Sequence, residues 1–225
     1  MMIIGADEAG RGPVLGPLVI CAACFDEFNI DKLRSSGVQD SKKLTSNQRE
    51  SMVKIIDSFL VDKEIVVFPA KHIDNSITSG TNLNQLEVDG FIYAINSILD
   101  RGNIPDVIWL DAADIDEKRF QRRIEAGLEV DVKIIAKHKC DETETCVGAA
   151  SILAKIRRDQ IIKQLSSKYG NIGSGYPSDV KTRQFIKDFY KEYGFFPPFV
   201  RKTWKTMRNL EKELDILPPG QTRLF

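Results

Sequence analysis

Ile3-Ile4-Gly5-Ala6-Asp7-Glu8-Ala9-Gly10-Arg11-Gly12-Pro13 sets two adjacent carboxylates at the end of an apolar run, followed at once by a cation between two glycines. In an extended strand Ile3, Gly5 and Asp7 share one face, and Ile4, Ala6 and Glu8 share the other. For both acids to serve one site, the strand must end at them. Gly10 and Gly12 fit such an ending, because glycine accepts conformations and close approaches that a Cβ blocks. From this stretch alone, a strand running into a charged solvent turn is the plainer reading, because most carboxylates are merely solvated.

Working outward, Gly16 to Phe25 reads as a second strand paired with the first in a hairpin-like way, and Asn29 to Ser36 as a short helix closed by Gly37. Thr45 with Gln48 forms a capping-box pattern before the helical stripe Met52, Val53, Ile55, Ile56, Phe59 and Leu60. A strand over 64–70, a short helix over 72–78 and a longer helix over 83–99 follow. Asp106 to Asp111 is a fourth strand that again ends on an acid. Helix 118–126 and a fifth strand over 129–137 lead to a long helix over 143–169, closed by Gly170. Helices over 180–193 and 199–213 flank Gly194-Phe195-Phe196-Pro197-Pro198. The alternation predicts an α/β fold: a mixed five-stranded sheet flanked by helices, then a small helical C-terminal subdomain. The expected divisions are a catalytic domain over 1–172, the helical subdomain over 173–213 and a tail over 214–225.

The 225 residues carry 32 basic and 32 acidic side chains, yet the balance is uneven along the chain. Residues 1–150 hold 17 Lys and Arg against 25 Asp and Glu, whereas residues 151–212 hold 14 against 5. A basic segment suits a polyanion, and clustered acids suit metal cations; mutual neutralisation of the two parts is the plainer reading. No long apolar run or secretory leader is visible, so a soluble, cytoplasmic protein without a membrane segment is expected, as a monomer. The four cysteines do not form a disulfide framework pattern, and the Cys21–Cys24 spacing lacks a second pair for structural zinc.

Asp111 and Asp141 repeat the logic of the opening stretch, each following an apolar strand. Strand ends in an α/β sheet gather such groups at one edge. Carboxylates packed together persist ionised only with cations between them, and oxygen ligands without histidine or cysteine select Mg2+ or Mn2+. Two such ions suit phosphodiester hydrolysis. A metal-independent carboxylate-pair hydrolase and a non-catalytic nucleic-acid-binding module are the rival readings.

Asp7-Glu8-Ala9-Gly10-Arg11-Gly12, Asp40-Ser41-Lys42-Lys43-Leu44, Leu110-Asp111-Ala112-Ala113-Asp114, and Asp141 ten residues before Ser151 in Ala-Ala-Ser-Ile-Leu-Ala-Lys together resemble ribonuclease HII, in its archaeal form. Gly175-Tyr176-Pro177-Ser178-Asp179 and Arg201-Lys202-Thr203-Trp204-Lys205 extend the resemblance, with Thr203 where the family pattern has serine. It implies an RNase H-like fold and an endonuclease that cuts the RNA strand of RNA–DNA hybrids and single ribonucleotides in duplex DNA, a replication and repair activity. It also implies Asp7, Glu8, Asp111 and Asp141 as metal-binding catalytic acids. Under the same resemblance, backbone groups at Gly10, Arg11 and Gly12 sense the 2′-hydroxyl, Tyr176 stacks on the junction sugar, and Lys42 and Lys43 hold phosphates. Ser151, Lys155 and Arg158 share one helix face and would add a polar stripe for the phosphate backbone, extended by Arg201, Lys202, Lys205 and Arg208. A plain solvated face reads identically. Gln221-Thr222-Arg223-Leu224-Phe225 resembles the start of a sliding-clamp-binding peptide, against the plainer reading of a frayed terminus.

Overall fold

The structure, a computed structural model, describes residues 1–38 and 46–216. In chain order the elements are β1 (Met2–Ala9), β2 (Leu18–Asp26), α1 (Glu27–Ser35), α2 (Ser46–Phe59), β3 (Leu60–Phe68), α3 (Ala70–Thr78), α4 (Leu83–Asp100), β4 (Val107–Asp111), α5 (Glu117–Glu125), β5 (Lys133–Lys137), α6 (Cys140–Thr143), α7 (Thr145–Tyr169), α8 (Val180–Tyr193) and α9 (Lys205–Glu213). The five strands form one mixed sheet in the order β3-β2-β1-β4-β5. β1 pairs antiparallel with β2, as the hairpin reading predicts, and parallel with β4, which pairs parallel with β5. Side-chain oxygens start the helices where the sequence supplies them: Asp26, Asn82, Asp116 and Asp179 each accept a backbone N–H from the first turn of α1, α4, α5 and α8.

The chain forms two compact units. The first comprises Met1–Ala9, Leu18–Val67 and Asn82–Asp159 and contains the sheet. One sheet face, with Ile3, Cys21, Ala23, Phe25 and Val107, packs against Val147, Ala149, Ala150, Leu153 and Ala154 of α7. Strand alternation turns Ile4, Ala6, Ile108 and Leu110 to the opposite face, and all four are buried. The second unit comprises Gly10–Pro17, Phe68–Thr81 and the chain from Gln160 onward. Its core is Val14, Leu15, Ile172, Ile186, Phe199, Val200, Met207 and Leu210, with the rings of Tyr169, Phe185 and Phe189 close by.

Three boundaries differ from the sequence reading by four residues or more. β3 begins at Leu60, so the apolar residue expected at the end of α2 opens the strand instead. β5 is confined to Lys133–Lys137, the residues that find a partner on β4. The last helix starts at Lys205 instead of 199. Before it the chain is held extended: Val200 bridges Leu15, the Arg201 N–H donates to the Val14 carbonyl, and a turn closes from Trp204 N–H to the Arg201 carbonyl.

Candidate active site

The site begins with the absence of a side chain. Gly5 faces α7, and a Cβ there would lie 2.2 Å from the carbonyl carbon of Cys146 and 2.5 Å from the amide nitrogen of Val147. The helix backbone therefore rests directly on the strand. Two residues further along β1, about 7 Å, stands Asp7; five residues further along α7, about 7.5 Å, stands Ser151. The two advances match, and the Ser151 hydroxyl hydrogen-bonds the Asp7 carboxylate. Lys155, one turn on, donates from Nζ to Ser151 Oγ at 2.7 Å.

Asp111 ends β4. Leu110 sits opposite Ala6 in the parallel register, so the next residue on each strand is an aspartate. The Cys140 N–H donates to Asp111 Oδ1 at 3.1 Å. Lys139, in the left-handed region at φ 56°, turns the chain into α6, where Asp141 is buried. Ligand oxygens of Asp7, Asp111 and Asp141 all lie within 4.8 Å of one another. Burial, then the charges of Asp111 and Asp141, push the Asp7 carboxyl up to about 7, against the opposing pull of the Ser151 hydrogen bond and the Lys155 charge. Burial likewise pushes the Cys140 thiol up to about 12, so it stays protonated and offers no thiolate. The donor set is therefore oxygen alone, converging and mutually repelling. That fits a hard divalent cation, which would relieve the repulsion that raises Asp7.

The end of β1 departs from the sequence reading. β1 does not end at the acid pair: its pairing with β2 continues through Glu8↔Ile20 and Ala9↔Val19. Asp7 and Glu8 thus sit on opposite pleat faces, and the three-carboxylate group does not include Glu8. What joins the two is the Glu8 N–H, which donates to Asp7 Oδ1 at 2.7 Å.

Ser151, Lys155 and Arg158 also differ from a phosphate-facing stripe. Ser151 is fully buried, Arg158 is buried and Lys155 is half-buried. The first three turns of α7 are enclosed on all sides, and Ser151 and Lys155 of the expected polar face belong to the surroundings of Asp7.

Within the second unit, Gly10 takes φ 91°, a left-handed conformation that favours glycine. Gly12 has no such need: a Cβ there would meet nothing within 4 Å, and the residue is exposed. Tyr176 is brought near this loop through Gly175, whose carbonyl accepts the N–H groups of Val14 at 2.8 Å and Leu15 at 3.1 Å. Tyr176 itself is exposed. The glycine-rich loop before it is fastened by Asp179, which accepts from the N–H and hydroxyl of Ser174, and these bonds hold its carboxyl down at about 2.

Arg201 is the residue the sequence placed wrongly. It precedes the last helix and is fully buried, donating to the carbonyls of Gly10, Arg11 and Gly16. Thr203, the departure from the family pattern, donates its hydroxyl to Asp74 Oδ1 at 2.7 Å, a bond serine would also make. Lys42 and Lys43 lie outside the described residues, as does the tail from 217 onward.

The model of the family "Ribonuclease HII" matches residues 4–207. The chain belongs to the ribonuclease HII family. It is 49% identical over 214 residues to ribonuclease HII of Thermococcus onnurineus, covering 95% of this chain and 92% of that one. Among solved structures, ribonuclease H2 from Pyrococcus horikoshii superposes with a TM-score of 0.88 at 46% identity, covering 96% of this chain and 99% of that one. Ribonuclease HII of Archaeoglobus fulgidus, solved as a complex with PCNA, superposes with a TM-score of 0.80 at 33% identity over 91% of this chain and 96% of that one. The RNase H-like sheet with flanking helices is thus the family fold, and the chain is a metal-dependent ribonuclease, a phosphodiester hydrolase. No described helix is long and apolar enough to cross a membrane.

Proposed function

We propose that this chain is an endonuclease that hydrolyses the RNA strand of RNA–DNA hybrids and cuts duplex DNA at embedded ribonucleotides, leaving 5′-phosphate and 3′-hydroxyl ends. The observation that carries the reading is the convergence of Asp7, Asp111 and Asp141 in a chain of this family. These three would hold Mg2+ or Mn2+, with Glu8 as the fourth carboxylate. When bound, such ions supply Lewis acidity, lower the pKa of a water and stabilise charge on the attacking and leaving oxygens. The protein's part is to keep the acids ionised and fixed. Lys155 and Ser151 favour the charged form of Asp7, the Glu8 N–H donates to the same carboxylate, and the Cys140 N–H fixes Asp111. Backbone groups of Gly10, Arg11 and Gly12 recognise the 2′-hydroxyl, Tyr176 stacks on the sugar at the junction, and Lys42 and Lys43 contact phosphates. Ser151 and Lys155 act through Asp7 instead of through the phosphate backbone.

A DNA duplex containing one ribonucleotide tests this, with and without Mg2+ or Mn2+, comparing the wild type with Asp111→Asn. The wild type should cut only at the ribonucleotide and only with the ion, and Asp111→Asn should not cut. A ribonucleotide-independent or EDTA-resistant cut would sink the reading.

The relative solved with PCNA favours a second partner, a sliding clamp, bound through Gln221 to Phe225. Deleting residues 218–225 should then abolish clamp affinity and leave cleavage of short duplexes intact; unchanged affinity would dismiss the idea.

A further inference from the structure

Arg201 is the largest fully buried side chain among the described residues, and the acid site does not use its guanidinium. Burying a guanidinium is tolerated only when its N–H groups find acceptors. Here Nη2 donates to Gly10 O at 2.6 Å, Nη1 to Arg11 O at 3.0 Å and Nε to Gly16 O at 3.0 Å. The guanidinium also lies 4.8 Å from the ring centroid of Trp204, whose Nε1–H donates to Gly12 O at 3.2 Å. The three consecutive carbonyls of residues 10, 11 and 12 are therefore held by two side chains four positions long in sequence. The turn carrying both is in turn pinned by Asp74 of α3, which accepts the N–H groups of Lys202 at 2.8 Å and Thr203 at 3.0 Å.

Peptide planarity gives this clamp a consequence. In a trans peptide the C=O and the following N–H point in opposite directions. With the carbonyls of Gly10 and Arg11 drawn onto the guanidinium, the N–H groups of Arg11 and Gly12 are turned away from it. Gly12 is exposed, and the space where its Cβ would stand is open. We propose that Arg201 and Trp204 are specificity-positioning residues: they set the peptide planes of Gly10 to Gly12 so that the loop's N–H edge is presented to the sugar 2′-oxygen. This rests on the reading of the 10–12 loop as the ribose sensor. A lysine, as a point charge on a flexible stem, cannot satisfy the three carbonyls in fixed directions.

The test measures equilibrium affinity under non-cleaving conditions, with Ca2+ in place of Mg2+, for two duplexes differing only by one 2′-hydroxyl. The variants are Arg201→Lys and the milder Trp204→Phe, which keeps an aromatic face and removes the indole N–H donor with its five-membered ring; circular dichroism and thermal unfolding confirm that each is folded. The ratio of ribonucleotide to all-DNA affinity should fall about tenfold or more in Arg201→Lys and several-fold in Trp204→Phe, with all-DNA affinity unchanged. A merely structural role would lower both affinities together and leave the ratio alone. A wild-type ratio in folded Trp204→Phe and Arg201→Lys would overturn the proposal. A wild type that shows no ribonucleotide preference would instead sink the sensor reading, before any variant is made.

Discussion

Replacing Gly5 by alanine drives a methyl group into the backbone of α7. The new Cβ would sit 2.2 Å from the Cys146 carbonyl carbon and 2.4 Å from its oxygen. Unstrained carbon contacts need about 3.5 Å, so strand and helix must part by about 1.3 Å, and neither obstacle is a side chain that can rotate away. Overpacking of this kind costs about 1–3 kcal/mol. The larger effect is geometric. Ser151 and Lys155 ride on the same helix, and Asp141 lies just before it, so the helix cannot withdraw without altering their placement against Asp7 on β1. Misplacement of about 1 Å in a catalytic constellation costs roughly 100-fold in rate. Gly5→Ala is therefore expected to unfold at lower temperature and to lose about two orders of magnitude in kcat on a ribonucleotide-containing duplex. Its affinity for that duplex in Ca2+ should change little, because the 10–12 loop belongs to the other compact unit. An alanine variant with wild-type kcat and wild-type stability would refute the argument that the strand–helix contact sets the acids.

The remaining expectations concern charge and space. With the Asp7 carboxyl at about 7 and its ordinary value at 3.8, the metal-free folded protein binds more protons than the unfolded chain between those values. The group's contribution to stability is therefore present at pH 4 and lost as pH rises through about 7. Metal-stripped protein should melt at a higher temperature at pH 5.5 than at pH 8 as far as this group decides it, and a divalent ion should restore stability at pH 8; equal metal-induced stabilisation at both pH values would contradict this. Divalent-ion affinity by calorimetry should accordingly weaken below pH 7, with proton release on binding. Gly12→Ala should leave the melting temperature within the scatter of surface substitutions, about 0.5 kcal/mol, yet weaken binding to a ribonucleotide-containing duplex; a large loss of stability would contradict the open space at that position. Asp179→Ala removes the α8 N-cap and the acceptor for Ser174, so stability should fall by about 1–2 kcal/mol and KM should rise through Tyr176. An unchanged melting curve would show that the loop does not depend on this carboxylate.

The sheet was readable because its strands are short apolar runs bounded by acids and glycines, and the same boundaries marked Asp7, Asp111 and Asp141. What could not be read was set by partners distant in sequence. Whether β1 ends at Asp7 depends on how far β2 continues beside it, and β2 continues to Val19 opposite Ala9. Spacing makes Ser151 one position of a polar stripe because it reports which residues share a face and says nothing of what covers that face. Charge along the chain groups Arg201 with a basic surface for the same reason: it does not reveal that three backbone carbonyls accept from its guanidinium. A useful signal was nonetheless present, since Arg201 is followed three residues later by a tryptophan and preceded by Phe199 and Val200, apolar company that a solvated arginine does not require.

The three glycines of the opening stretch make the same point in reverse, by elimination. Gly5 is accounted for by the helix that rests on it, since any side chain would strike the Cys146 backbone. Gly10 is accounted for by its own conformation, φ 91°, which an L-residue adopts only under strain. Both are demands of the folded chain on itself. Gly12 meets neither demand: a Cβ there would have open space within 4 Å, and its φ is not in the left-handed region. Its carbonyl, moreover, is the one held by Trp204, so the peptide that follows it is fixed. A glycine that the fold does not require, on a loop whose planes the fold takes trouble to fix, is explained most directly by something outside the chain that must come closer than a Cβ allows. Under the proposed role of the 10–12 loop, that something would be the sugar whose 2′-hydroxyl has to be felt.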